Sequence, residues 1–213
     1  DVGGGLEQHR VSAGAHGTHE VAAGGRLLRH CLQNMSNLPG VKAEVVEGWP
    51  AKALRDAAST VVFIGDQFPP ARLPEAERNL AELGEMMKRG CGIVCVHYAT
   101  GLKAEPGQDP LLQWMGGYFA SYCKHHQSVA KIFPAATISP ASEHPINRGW
   151  QAFTLHDEPY INNYFGQDNN RPASNVTVLA TSLLPPEAPT RETVAWCVER
   201  PDGGRGFGIV MPH

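Results

Sequence analysis

Apolar residues in the first half of the chain fall alternately into short continuous runs and into longer stretches with a three- and four-residue spacing. The short runs predict strands, because apolar and β-branched residues dominate them. Such runs lie at residues 9–14 (HRVSAG), 41–46 (VKAEVV), 59–65 (STVVFIG) and 91–97 (CGIVCVH). Strands that alternate with helices are typical of a parallel sheet with crossover helices.

The longer stretches predict helices. Thr18 can cap a helix that runs to Met35 with apolar residues at helical spacing. The stretch 73–90 (LPEAERNLAELGEMMKRG) places Pro74 in its first turn, acidic residues early, basic residues late and a glycine at its end. A shorter helix is expected at 109–115, where the chain reads DPLLQWM.

The second half of the chain is less regular. Its apolar runs predict strands at 128–133 (SVAKIF), 175–180 (NVTVLA), 193–199 (TVAWCVE) and 206–211 (GFGIVM). Because no repeat, low-complexity tract or linker divides the chain, residues 1–213 are expected to form one domain. The predicted fold class is α/β with a mostly parallel sheet.

Composition and charge narrow the classes of ligand. Apolar residues make up 42% and charged residues 18% of the chain, and no apolar run is long enough to span a bilayer. A net charge of -3 without a Lys/Arg cluster argues against a nucleic-acid partner, since such binding neutralises several phosphates. Five dispersed cysteines without a CxxC pair argue against a disulfide scaffold and leave a single bridge open.

The segment HGTHE at 16–20 joins the first predicted strand to the first helix. At that junction His16, His19 and Glu20 could face the cleft at the carboxyl edge of the sheet, together with backbone N–H groups of the helix start. The spacing is not that of HExxH, and a capped helix start with exposed histidines has the same letters. Both interpretations stay open on spacing alone.

His97 ends the apolar run GIVCV and precedes Tyr98. A strand-to-helix turn would present its imidazole over the sheet edge, about where α/β hydrolases and amidotransferases carry their nucleophile. It could serve as a general base, an electrophile or a metal ligand, and the alternative is a histidine hydrogen-bonded in the core. Cys95 has apolar neighbours and is expected to be an inert buried thiol.

Polar segments elsewhere are weaker candidates. His125 and His126 are adjacent, so at most one of them is expected to face a site. Residues 156–158 (HDE) combine acids with a histidine as acid/base or metal sites do, although a solvated turn has the same composition. The segment 199–208 (ERPDGGRGFG) predicts a hairpin, in which Arg205 could bind substrate hydroxyls or a carboxylate.

Several segments taken together resemble the trehalose-utilisation, or ThuA-like, family. They follow one another from about residue 9 to the last residue: HGTHEVAAG, GWP at 48–50, RGCGIVCVHYAT, WMGGYF, EHPINRG, DEPYINNYF and AWCVERPDGGRGFG. Each is weak alone, and their common order carries the resemblance. It implies a flavodoxin-like three-layer α/β sandwich similar to class I glutamine amidotransferases, in bacterial proteins linked to sugar utilisation.

The resemblance also implies where site residues fall. The matching positions are His19 and Glu20 for the family's HE motif, His97 for its strand-end histidine, Asp157, Glu158 and Tyr160 for its DEWY-like segment, and His213 for its GGH-like end. After GGYF the chain reads CKHHQS, so a further family histidine matches either His125 or His126. The chain stops where the family continues with aromatic residues, and we therefore expect it to lack its natural carboxyl end.

Departures from the family pattern matter for the chemistry. Pro159 replaces an expected aromatic residue, and Met211 and Pro212 replace two glycines before the last histidine. His97 stands where true amidotransferases carry a cysteine, so glutamine hydrolysis through a thiolate is not expected.

The leading hypothesis is an enzyme that hydrolyses or isomerises a sugar or keto-sugar. The expected catalytic residues are His97, Glu20 and Glu158, and the expected substrate-binding residues are Tyr98, Asp157, Tyr160 and Arg205. A divalent metal, preferably zinc, would take His19, His97 and His213 as ligands. The alternative is a non-catalytic sugar-binding or assembly module, in which sugar rings stack on aromatic side chains: Trp49, Trp114, Tyr118 and Tyr160.

The sequence also gives general expectations about the cofactor, the partners and the location of the protein. No nucleotide or flavin is expected, because no Ser/Thr-rich phosphate loop follows the first strand. The expected partner is a small carbohydrate, without nucleic acid or membrane insertion, and a homo-oligomer is compatible with the sequence. The chain begins with Asp1 rather than Met, which indicates a processed, trimmed or incomplete product. The ERPDGGRGFG segment resembles that of exported members of the family, so the resemblance implies export rather than a cytoplasmic location.

Overall fold

The computed structural model describes residues 8–13 and 18–211, with side chains described from residue 21 onward. The helices are α1 (Thr18–Asn34), α2 (Lys52–Ala57), α3 (Pro69–Arg72), α4 (Ala76–Lys88) and α5 (Pro110–Met115), and short 3-10 helices span His97–Thr100 and Pro145–Asn147. The strands are β1 (Gln8–Ala13), β2 (Lys42–Glu47), β3 (Thr60–Ile64), β4 (Gly92–Val96), β5 (Gly101–Leu102), β6 (Phe119–Ala120), β7 (Phe133–Pro140), β8 (Phe153–Asp157), β9 (Val176–Leu184), β10 (Thr190–Glu199) and β11 (Arg205–Ile209).

Most predicted elements are present, and the exceptions have local causes. The strand expected at 128–133 is wrong, because Ser128 accepts the Ala120 N–H and donates to the Asn162 carbonyl, and this segment makes only an isolated bridge before β7 begins. Helix α4 starts after Pro74, since Glu75 precedes it with a left-handed backbone (φ 63°). Helices α2 and α3 and strand β8 were not predicted.

The described strands form a nine-stranded sheet of order β2-β1-β3-β4-β11-β10-β9-β7-β8, beside a two-stranded sheet of β5 and β6. Pairings from β2 to β11 are parallel, and those from β11 to β8 are antiparallel. The expectation of a mostly parallel sheet is therefore not confirmed, and the fold is α/β with a mixed sheet. The reason lies after α5, where the described chain has no further α-helix to carry parallel crossovers.

Helices pack on both faces of the parallel half of the sheet. Helix α1 contacts β1 and β2 and buries Ala22, whereas α4 inserts Leu83 into the main core. Strand β3 shows that both faces of the sheet are covered, because Phe63 packs in the main core whereas the adjacent Val62, on the opposite face, is buried outside that core. The parallel strands therefore lie between two helical layers, and their carboxyl ends share one edge.

The main core is continuous beneath the antiparallel half. Phe63, Leu83, Ile93 and Trp196 are among its fully buried side chains, each of which stabilises the fold by about 1.5–3 kcal/mol through removal of apolar surface from water. The Trp196 indole N–H donates to the Met115 carbonyl at 2.9 Å, so its polar atom is satisfied. This core ties α5 and β10 to the strands that carry the candidate site.

All five cysteines lie in the described part of the chain and are free thiols, which excludes the single bridge that the sequence left open. Among the described residues, no helix has the length and apolar character needed to cross a membrane. This agrees with the absence of a long apolar run in the sequence.

Candidate functional site

His97 occupies a strained turn directly after β4. Its backbone is left-handed (φ 47°), and the Thr100 hydroxyl donates to its carbonyl at 2.7 Å, which holds the 3-10 helix His97–Thr100. Such a conformation costs a non-glycine residue about 1–3 kcal/mol and clusters at functional sites. The side chain is nevertheless buried, with 3% of the residue exposed. The turn thus presents an imidazole at the sheet edge, as the sequence predicted.

Two tyrosine rings flank the His97 imidazole. The ring centroid of Tyr98 lies 4.7 Å from that of His97, and the centroid of Tyr160 lies 4.4 Å from it. Tyr160 is buried and also packs on Phe119, with ring centroids 4.2 Å apart, whereas Tyr98 is 41% exposed. The imidazole is therefore fixed between a buried ring and a ring that reaches solvent.

Glu158 is the acidic partner of His97. Its Oε2 lies 3.7 Å from His97 Nε2, and 19% of its side chain is exposed. Strand β8 is at the far end of the sheet, but the chain after it crosses back, and the Tyr160 N–H donates to the Val210 carbonyl just beyond β11 at 3.4 Å. The separation is too long for a direct hydrogen bond and short enough for the carboxylate to stabilise an imidazolium.

The two tyrosine hydroxyls are held in their neutral form. Burial raises the pKa of Tyr98 and of Tyr160, and the Glu158 carboxylate raises both pKa values further. A neutral hydroxyl can donate a hydrogen bond, so the site offers phenolic donors beside an imidazole and a carboxylate. This combination suits a ligand that carries several hydroxyl or carbonyl oxygens.

The loop after β3 adds residues that the sequence analysis missed. Asp66 follows β3 at the sheet edge where His97 follows β4, and its carboxylate raises the pKa of Tyr98, after burial and Glu158. The Gln67 amide donates to the Ser121 hydroxyl at 2.7 Å, and the Phe68 N–H donates to the Gly101 carbonyl at 2.9 Å. The same signal that indicated His97, a polar residue after a buried strand, was present in IGDQ and could have found Asp66.

Four of the predicted site residues come together: His97, Tyr98, Glu158 and Tyr160. Asp157 is buried at the end of β8, paired in register with Phe133. Its role as a substrate ligand stays a prediction.

Arg205 does not join the site. It begins β11, one residue before Gly206 pairs with Ile93 near the start of β4, whereas His97 follows the end of β4. At about 3.3 Å per residue, this offset along the sheet amounts to about 16 Å. Its side chain is 81% exposed and lies 3.8 Å from Glu199, so Arg205 is not placed beside His97, and its role as a substrate ligand stays a prediction.

Helix α1 begins at the same edge, because β1 runs parallel to β3 with Ala13 opposite Ile64. His19 and Glu20 lie in its first turn, where only the backbone is described. His16 and His213 lie outside the described residues. The roles predicted for these residues stay predictions.

The adjacent histidines after GGYF have other contacts. His125 Nε2 lies 3.1 Å from the Tyr118 hydroxyl, which also donates to Asp109 at 3.3 Å. His126 Nε2 lies 2.6 Å from the Asn162 carbonyl. Both imidazoles also pack on the Tyr164 ring, with ring centroids 4.8 Å and 5.1 Å apart, so the contacts described for them are with Tyr118, Asn162 and Tyr164 rather than with His97.

The aromatic residues proposed as sugar platforms are mostly structural. The Trp49 indole donates to Glu82 at 2.6 Å, Trp114 packs beside Phe68, and Tyr118 is fully buried. Only Tyr160 lies in the site, and it is buried beneath His97. Tyr98 is the exposed ring next to the imidazole.

A metal site is not assembled by the described residues, which contain no group of three or more His, Cys, Asp or Glu side chains close enough to hold an ion. His97 and Glu158 would provide two donors, and zinc sites take at least three from the protein. The described donors alone therefore do not fit a zinc ion.

Comparison with known proteins shows the fold that this chain shares. No protein-family model and no curated protein matches the sequence. The fold is that of the solved ThuA-like proteins, which confirms the resemblance to that family, whereas the mostly parallel sheet expected with it is not confirmed.

Three solved structures illustrate the likeness. A ThuA-like protein from Bacteroides uniformis ATCC 8492 has a TM-score of 0.64 and 15% identity, covering 100% of this chain and 84% of that chain. A ThuA-like protein from Parabacteroides merdae ATCC 43184 has a TM-score of 0.61 and 15% identity, covering 99% and 80%. The carbohydrate deacetylase Agd3 has a TM-score of 0.57 and 13% identity, covering 97% of this chain and 29% of that protein. At these identities the likeness establishes the fold.

Proposed function

We propose that this chain is a ThuA-like enzyme that acts on a sugar or keto-sugar by proton transfer, with His97 and Glu158 as its catalytic residues. The observation that carries the proposal is the strained His97 at the end of β4, held between two tyrosines and 3.7 Å from a carboxylate. An imidazole nitrogen can accept a proton and give it back, which makes the side chain suited to both halves of a proton-transfer cycle.

The chemistry is derived from these groups. Neutral His97 removes a proton from a substrate hydroxyl, a carbon next to a carbonyl, or water, and Glu158 stabilises the imidazolium that results. The imidazolium then returns the proton to the developing product. The neutral Tyr98 and Tyr160 hydroxyls are suited to donate to substrate oxygens, because burial and Glu158 raise their pKa values.

The comparisons support a carbohydrate-related function and do not indicate which reaction the protein catalyses. The solved neighbours include ThuA-like proteins and a carbohydrate deacetylase, and this chain covers less than a third of the deacetylase. The strand order β2-β1-β3-β4-β11 of the parallel half follows the flavodoxin-like order, which supports membership of the glutamine amidotransferase-like superfamily. His97 stands where amidotransferases carry a cysteine, which supports a chemistry other than glutamine hydrolysis through a thiolate.

A divalent metal, export from the cytoplasm and a homo-oligomer stay proposals of the same kind. Zinc would require His19 or His213 to complete a set with His97. No step of the proposed proton transfer passes through a metal ion.

The test is turnover of a panel of sugars and oxidised sugars, followed by NMR, with wild type, His97→Ala, Glu158→Gln and His30→Ala. His30 is an exposed histidine of α1 and serves as the matched control. Loss of the general base is expected to lower kcat/KM by about 10²–10⁴-fold, whereas His30→Ala stays at the wild-type rate. A folded His97→Ala protein with wild-type turnover would contradict the proposal.

Isotopes separate the two reactions within the proposal. Isomerisation in D₂O introduces deuterium at the carbon next to the carbonyl, whereas hydrolysis in H₂¹⁸O places the heavy oxygen in one of two products. A hydrolase is expected to leave carbon-bound hydrogens unexchanged.

A sugar-binding module is the second candidate, favoured by one observation: Tyr98 is 41% exposed beside a buried polar group. An exposed aromatic ring can stack on a sugar ring without any reaction. Saturable binding of a sugar that is recovered unchanged after long incubation would identify the protein as a binder.

A further inference from the structure

Asp66 stands in a position equivalent to that of Tyr98 on the neighbouring strand. Strands β3 and β4 are parallel partners, with Phe63 opposite Cys95. Asp66 follows Phe63 by three residues, as Tyr98 follows Cys95, so both residues lie just beyond the same edge of the sheet. Strand β3 also contacts the 3-10 helix that begins at His97.

The loop that carries Asp66 is fixed against the His97 turn. The Phe68 N–H donates to the Gly101 carbonyl at 2.9 Å, which joins the loop to the end of the 3-10 helix. The Gln67 amide donates to the buried Ser121 hydroxyl at 2.7 Å, and the Gln67 N–H donates to Asp66 Oδ1 at 2.7 Å. The carboxylate is therefore held at the site by the backbone around it.

Asp66 and Glu158 come to the surroundings of Tyr98 from different segments, Asp66 from the loop after β3 and Glu158 from the loop after β8. After burial, Glu158 and then Asp66 raise the pKa of the Tyr98 hydroxyl, in agreement with the strand register and the Phe68–Gly101 hydrogen bond that place the Asp66 loop beside the His97 turn. Asp66 is partly exposed, and Glu158 keeps 19% of its side chain exposed, so each carboxylate group can meet a ligand. The Asp66 loop and Glu158 thus both lie beside the turn that carries His97 and Tyr98.

We propose that Asp66 is a substrate-binding residue of the His97 site and that, with Glu158, it restricts the site to uncharged or cationic sugars. Carboxylates accept hydrogen bonds from sugar hydroxyls or an amino group, whereas a uronic acid or a sugar phosphate would place a third negative charge against them. The inference rests on the proposed function for the ligand class, and it concerns binding rather than turnover.

Three sugars with the same ring provide the test: glucose, glucosamine and glucuronate, which are neutral, cationic and anionic at near-neutral pH. Their dissociation constants are measured by ligand-observed NMR with wild type, Asp66→Asn and Asp56→Asn. Asp56 pairs with Lys52 on α2, in the segment before the amino end of β3, and gives the same loss of one negative charge away from the site.

Wild type is expected to bind glucose and glucosamine at least about tenfold more tightly than glucuronate, a preference that salt weakens. Asp66→Asn is expected to reduce the preference by about threefold or more, and Asp56→Asn to leave it unchanged. Equal affinity for glucuronate, an unchanged preference in Asp66→Asn, or binding of none of the three sugars would overturn the inference. The proposed function fails separately, through undiminished turnover in His97→Ala.

Discussion

The buried Arg200 side chain is expected to be a main determinant of the stability of the domain. It is 2% exposed and follows β10, in the turn that the sequence predicted as a hairpin. Its guanidinium donates to the Cys91 carbonyl at 2.7 Å, to the Met87 carbonyl at 3.3 Å and to Asp202 at 3.1 Å. It also donates to the Arg205 carbonyl at 3.2 Å. One side chain thus joins the end of α4, the start of β4 and the β10–β11 turn.

The magnitude follows from what Arg200→Met leaves behind. The Met87 carbonyl keeps the bond from the Gly90 N–H, and Asp202, with 29% of its side chain exposed, keeps the bond from the Gly204 N–H. The Cys91 carbonyl loses a short charge-assisted bond, and the paired carboxylate loses its cation. We expect a loss of about 2–4 kcal/mol in the free energy of unfolding, which is below the full cost of breaking a fully buried ion pair.

The assay is urea unfolding followed by circular dichroism, with a thermal scan on the same samples. The expected loss corresponds to a fall in Tm of roughly 10 °C for a domain of this size. Arg205→Met is the matched control, because that side chain is 81% exposed in its pair with Glu199, and its loss is expected to be below about 0.5 kcal/mol. Equal urea midpoints for the two variants would refute the reasoning about Arg200.

Two further predictions concern glycine positions and thiols. Gly208→Ala would place a Cβ 2.5 Å from the buried Trp196 ring and is expected to lower the free energy of unfolding by about 1–3 kcal/mol. Gly24→Ala, in helix α1 with nothing within 4 Å of the added Cβ, is expected to raise the free energy of unfolding by about 0.5–1 kcal/mol, because alanine has the higher helix propensity. Urea midpoints of the two variants that shift in the same direction would contradict this. Burial raises the pKa of Cys91 to about 11, so iodoacetamide at mildly alkaline pH is expected to modify the half-buried Cys31 before Cys91. Peptide mass spectrometry measures the two rates, and modification of Cys91 at a similar rate in the folded protein would show that its thiol is not protected.

The sequence by itself determined the elements whose patterns are local. Strands β3 and β4 and helix α4 were predicted because their apolar residues repeat with the period of the element that they form. His97 was identified for a related reason: a polar residue that directly follows a buried strand must lie at the sheet edge. The acidic segment 156–158 marked Glu158 as a candidate, and the family resemblance added Tyr160 and grouped both residues with His97, a connection that no local pattern could make.

The pairing of strands and the membership of the site were decided by the tertiary structure. A run such as TVAWCVE has the same pattern in a parallel and in an antiparallel sheet, so the mixed character of the sheet depended on connections and packing. The sequence analysis grouped Arg205 with the site, but Arg205 starts β11 at the opposite edge of the sheet, because β11 pairs in parallel with β4. Glu158 reaches His97 only because the chain after β8 crosses back to β11, and Asp66 joins them through hydrogen bonds between distant segments. Periodicity along the chain reports which face of an element is buried, and contacts between residues far apart in sequence depend on how all the elements pack together.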